Sequence, residues 1–239
     1  EEIELEQMPA YHISELLENQ GLSSETAIVT VRDFNIATLS GTMAPIAPMI
    51  ELYNFKEKKK ARLEGTAVFK ESRMIGELSA TQTRGLLWIT NKAKRHTITI
   101  DTELGKIDLI ITGSKGSIKP VKNKDGTIGI KLEVNATGCL EGNETAVDMS
   151  SLENIQKLSE LAEEAISADI DSSIKQAQAL SADVFGFGES IRRDYPKEFE
   201  KIKDNWDQEF VKLKPVLEVE VFLNCTGGIG KPLKQGGGE

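Results

Sequence analysis

The sequence predicts an α+β protein in which an antiparallel-rich β-sheet is packed by long amphipathic helices, preceded by a smaller partial α+β module. Three observations predict it. Between residues 96 and 140, apolar and polar residues alternate with a period of two, the mark of strands with one covered face. From Leu152 to Leu180, apolar residues instead recur every three or four positions, as on one face of a helix. A chain of 239 residues also exceeds what one hydrophobic core usually serves, so one large domain and part of a second are expected.

In chain order, "YHISELLENQ" reads as a short helix closed by Gly21, and "TAIVTVRDF" reads as a strand because it is rich in β-branched residues. "GTMAPIAPMIELYNF" holds Pro45 and Pro48 and is expected to be irregular or an edge segment. The basic run "KEKKKAR", residues 56–62, has no apolar period and marks a boundary between domains. It reads either as a solvated linker or as an electrostatic foothold on anionic lipid headgroups. "LEGTAVFKESRMIGEL" then has the shape of a hairpin turning at Glu71-Ser72-Arg73, and "SATQTRGLLWIT" that of a short helix capped by Ser79. Strands follow at "HTITID", "KIDLIIT" and "TIGIKLEVNATGCL". In the third, Ile128, Ile130, Leu132 and Val134 share one face.

The covering helix opens with a capping box, Ser150 to Glu153. Its stripe is Leu152, Ile155, Leu158, Ala162, Ile166, Ile170, Ile174, Ala177 and Leu180. "PKEFEKIKDNWDQEFVKL" reads as one further helix with Pro196 in its first turn, and its stripe centres on Trp206. The last strand, "VLEVEVFLNC", sets Leu217, Val219, Val221 and Leu223 on one face. The domains expected are therefore residues 1–55, the linker 56–62, a main domain over 63–230 and a flexible tail over 231–239.

Composition narrows the function classes. Net charge is −9, and nearly all of it lies between Glu141 and Asp171, where nine acidic residues meet one base, Lys157. That balance opposes nucleic-acid binding, which needs a basic footprint to displace counterions. Aromatic residues make up only 5%, too few for a base-stacking surface. No apolar run reaches the ~18 residues that cross a bilayer, and Glu1-Glu2-Ile3-Glu4 does not open a signal peptide. With no initiator methionine, the chain reads as a soluble piece of something longer. The two cysteines, Cys139 and Cys225, sit in strand-like runs and read as buried thiols, with a disulfide between neighbouring strands as the alternative. The apolar stripes are long enough to fold without a staple.

No catalytic or cofactor motif survives inspection. "ADVFGFGESIRRDYP" suggests a glycine-rich phosphate loop, but a helix precedes it where a strand is required, and Ile191 stands at the third glycine position. It reads as a joint between helices, with Gly186 ending the long helix and Phe185 and Phe187 pinned in the core. "CTGGIGKPL" resembles half of a P-loop, yet Cys225 stands where the motif needs glycine and Pro232 where it needs Ser or Thr. His12 and His96 lack ligand spacing to each other or to a cysteine, and neither G-x-S-x-G nor H-E-x-x-H occurs. No residue is expected to hold a metal or cofactor, and the chain reads as a binding or structural module.

"RLEGTAVFKESRMIGEL", "RGLLWI", the sheet, the long helix, "ADVFGFGESIRRDYP", "NWDQEF" and "LEVEVFLNCTGGIG" together resemble the C-terminal domain of the Ger(x)C spore germination proteins. These are the C subunits of nutrient germinant receptors in endospore-forming bacteria. The resemblance runs from about Ala61 to Gly230, and residues 1–54 would end the preceding, middle domain. It implies a lipoprotein on the outer face of the spore inner membrane, beside two integral-membrane partner subunits and without enzymatic activity. Neither Cys139 nor Cys225 stands where the family's lipid-modified cysteine would. The function expected is that of a non-catalytic receptor subunit acting through contacts with its membrane partners. A domain that itself binds the small germinant is the alternative. The candidate partner surface is acidic, Glu160, Glu163 and Glu164 on the long helix, with Arg192 and Arg193 beyond it; the arginines also read as surface partners of nearby carboxylates.

Overall fold

The computed structural model describes residues 24–225 apart from 57, 94, 104, 146, 149 and 150. The helix expected at residues 11–20 and the tail at 231–239 lie outside the described residues.

The first element is a helix, α1 (Val31–Ser40), where the β-branched run had suggested a strand. Local capping overrides that propensity. The Thr30 hydroxyl accepts a hydrogen bond from the Asp33 N–H, and the Asp33 carboxylate accepts from the Thr30 N–H, a reciprocal box that nucleates the first turn. Strands β1 (Ile46–Phe55), β2 (Lys58–Lys70) and β3 (Arg73–Leu78) form an antiparallel sheet in that order. β1 is an edge strand, and its register shifts between Pro48 and Ile50, where proline cannot donate to the ladder. Residues 58–62 of the basic run open β2 and pair with β1. They are thus hydrogen-bonded hairpin, not a structureless linker. The turn at Glu71-Ser72 stands as the sequence suggests, with Glu71 at φ 54°.

Helix α2 (Ala80–Ile89) is capped by Ser79, whose hydroxyl accepts from the Gln82 N–H. The second sheet is β4 (His96–Thr102), β5 (Gly105–Lys122), β6 (Ile128–Asn143) and β7 (Val216–Cys225), in that spatial order. Its first three strands run antiparallel, but β7 lies parallel to β6, so the sheet is mixed. The chain returns to the same end of the sheet through helices, and such a crossover brings a strand back parallel. β5 runs on through "GSKGSIKPVK", well past the segment whose alternation is visible in sequence.

The single long helix α3 (Leu152–Ala179) covers the sheet with Leu158, Ala162, Ile166, Ile170, Ile174 and Ala177. Its cap is Ser151, which accepts from the Asn154 N–H, in place of the expected box at Ser150. Leu152 leaves the stripe and is 83% exposed. α2 and α3 are joined across their crossing by a two-pronged pair, Arg84 Nε and Nη2 to the Asp169 carboxylate at 3.0 and 3.2 Å. The joint itself carries a helix, α4 (Phe187–Asp194), and the helix expected over residues 196–213 is broken into α5 (Pro196–Phe199), a 3₁₀ turn at Lys203–Asn205, and α6 (Trp206–Lys212). The break lets Phe185, Phe187, Phe199, Trp206 and Phe210 meet in one aromatic cluster, with centroids 5.0–6.4 Å apart.

Cys139 is disulfide-bonded, which replaces the expected pair of buried thiols. The parallel ladder sets Cys225, the chain's other cysteine, directly opposite it.

Candidate functional site

The glycine-rich turn does hold an anion, and the anion is its own. Asp183, 1% exposed, turns its carboxylate into the loop that follows. Oδ1 accepts hydrogen bonds from the N–H groups of Phe185, Gly186 and Phe187 at 2.9–3.1 Å, and Oδ2 accepts from Gly188 at 2.8 Å. The place a phosphate would occupy at the opening of α4 is filled. Gly186 is left-handed, at φ 79°, but it opens α4 and does not end the long helix; the left-handed residue just after α3 is Ser181, at φ 50°. At Gly188 a side chain has no room, since a Cβ there would lie 2.8 Å from Trp206 Cε2 and 2.9 Å from Thr42 Cβ.

Burial pushes the Asp183 carboxyl up to about 6, against the four N–H donors that favour its ionised form. Its carbonyl accepts from the Ala44 N–H at 2.8 Å, and Thr42 Oγ1 donates to Glu189 Oε1 at 2.9 Å. The segment between α1 and β1 is therefore latched to the joint between α3 and α4. Sequence reasoning passed over Asp183, although an Asp just before a glycine-rich helix start is the usual signal for a carboxylate that caps its own turn.

The expected partner residues divide into two groups. Glu160, Glu163 and Glu164 line a shallow groove along α3 and β7, made of two hollows of about 440 and 580 Å³ that share Glu160 and Glu163. Glu160 accepts from Gln156 Nε2 at 3.2 Å, and Glu163 Oε1 accepts from the Val221 N–H of β7 at 3.0 Å. The groove also holds Asp171, and no basic residue lines it among the described residues. Phe222, 59% exposed, stands at its β7 side. Arg192 and Arg193 lie on α4, which packs against β5, α5 and α6, and they pair with neighbours on their own helix. Arg192 Nη2 meets Glu189 at 2.6 Å and Arg193 Nε meets Asp194 at 2.8 Å. They do not line the acidic groove.

Among the described residues, no cluster of His, Cys, Asp or Glu has the geometry to hold a metal ion, and no helix is long and apolar enough to cross a membrane.

The architecture is an α+β unit with two antiparallel-rich sheets, built around one long helix whose acidic face stands beside an edge strand. Residues 64–227 match the family described as spore germination B3/GerAC like, C-terminal, and the chain belongs to that family. Spore germination protein KC of Bacillus subtilis (strain 168) is 24% identical over 226 residues, covering 86% of this chain and 54% of the relative. Spore germination protein YndF of the same organism is 29% identical over 174 residues, covering 70% of this chain and 43% of the relative. The crystal structure of the GerBC protein shares the fold, with a TM-score of 0.70 and 21% identity over 82% of this chain and 60% of that one. The chain spans about half the length of the curated relatives it matches.

Proposed function

We propose that this chain belongs to a non-catalytic subunit of a spore germinant receptor and acts in nutrient-triggered germination through contacts with two integral-membrane subunits. The whole subunit works at the outer face of the spore inner membrane, held there by a lipid anchor supplied by another part of the protein. Membership of the spore germination family over residues 64–227 is the observation that supports this reading. The contact surface is the groove between α3 and β7. Its carboxylates, with no base beside them among the described residues, suit electrostatic orientation of a basic partner, which acts mainly on association rate and salt sensitivity.

Replacing Glu160, Glu163 and Glu164 together by lysine, in the full-length protein in spores, tests the reading. The fold should survive, because these side chains lie off the buried stripe and the two hydrogen bonds lost, Val221 N–H to Glu163 and Gln156 to Glu160, contribute about 1 kcal/mol each. Receptor assembly and the germination response should fall at least several-fold. A fully active triple variant with normal assembly would contradict the proposal.

A further inference from the structure

Among the described residues the groove lies along an open sheet edge, and this specifies the form of what fits it. Among the described residues β7 is the outermost strand of its sheet and pairs only with β6. The Val221 N–H points away from β6 and finds the Glu163 carboxylate, which sits where the carbonyl of a neighbouring strand would sit. Peptide groups alternate direction along a strand, so Val219 and Leu223 present their N–H and C=O groups to the same open side.

Resting on the reading of this groove as a partner surface, we propose that the partner contributes an extended segment of alternating basic and apolar residues that adds to β7 as a fifth strand. On the inner face its basic side chains meet Glu160, Glu163, Glu164 and Asp171. On the outer face its apolar side chains cover Phe222, which the pleat directs away from α3. Main-chain hydrogen bonds supply affinity and the alternating side chains supply specificity. Glu163 exchanges its bond to Val221 for an ion pair with the incoming strand, so no buried group is left without a partner. A second copy of this edge fits poorly, because edge-to-edge pairing would set the carboxylates of its own α3 against Glu160, Glu163, Glu164 and Asp171. An anionic lipid surface is repelled for the same reason.

The probe is a synthetic ten-residue peptide alternating lysine and valine, with a glutamate–valine peptide as control. Hydrogen exchange on this chain should slow at least tenfold at Val219, Val221 and Leu223 with the basic peptide and stay unchanged with the acidic one. Val219→Pro removes an outward N–H, which an edge strand tolerates, while Val219→Ala removes only the side chain. The proline variant should melt like the alanine variant and bind the peptide at least tenfold more weakly than it. Unprotected amides at millimolar peptide, or equal binding by the two variants, overturn strand addition. In spores, a germination defect in the triple-lysine variant but not in full-length Val219→Pro would leave the acidic surface standing and remove the added strand. Defects in both are the result expected.

Discussion

Asp183→Ala is expected to destabilise the protein by about 3–5 kcal/mol at neutral pH. The substitution leaves the N–H groups of Phe185, Gly186, Phe187 and Gly188 facing a buried void with no acceptor. A melting point roughly 10 °C below the parent would read it, at 2–4 °C per kcal/mol for a chain of this size. The effect should reach further than the turn, because the Asp183 carbonyl also holds the Ala44 N–H. Hydrogen exchange at Ala44 should therefore quicken in the same variant.

The pH dependence has a definite sign. The folded-state value, about 6, lies above the ordinary 3.8, so the fold favours the protonated carboxyl. The proton-linked part of the group's support for folding is complete below about pH 4 and is lost as pH rises through about 6, leaving the pH-independent cost of removing the side chain. The stability gap between parent and Asp183→Ala should thus widen on going from pH 7 to pH 4, by up to about 3 kcal/mol. A gap that narrows as pH falls would show that the four N–H donors outweigh burial.

Trp206→Ala is expected to cost roughly 3–5 kcal/mol. The indole is 3% exposed, contacts the rings of Phe199 and Phe210, and lies over Gly188 at a distance that excludes any side chain there. Its loss would leave a cavity at the meeting point of α4, α5 and α6, which short helices cannot collapse to fill without losing their own contacts. Thermal unfolding, with near-ultraviolet circular dichroism to follow the aromatic cluster, measures the loss. A variant that melts like the parent would place Trp206 outside the core.

Elements whose signal is local were legible in the sequence. The α3 stripe, the Ser79 cap and the turn at Glu71-Ser72 each follow from a period or a capping chemistry that a few residues carry by themselves. What escaped depends on partners distant in sequence, or on two local rules in conflict. Over residues 26–34, β-branched content pointed to a strand, while the Thr30–Asp33 box fixed a helix from Val31. No period in "VLEVEVFLNC" tells whether its neighbour runs parallel or antiparallel, so β7 was placed in the sheet without its direction. The acidic block was plain in the composition, but that Glu163 reaches the edge of β7 needs the packing of α3 on the sheet. In the glycine-rich turn the missing phosphate loop was legible, whereas the carboxylate that fills it appears only once Asp183 is seen folded inward.

The contact surface along α3 and β7 is tested most directly by replacing Phe222 with a photo-crosslinking benzoylphenylalanine in the full-length protein, in spores. Phe222 is exposed and borders the groove, so the probe can sit there without disturbing the core. On irradiation, the account predicts a covalent product with an integral-membrane receptor subunit, lost when Glu160, Glu163 and Glu164 are lysine. A probe that crosslinks only to lipid, or yields the same product in the lysine variant, would contradict it.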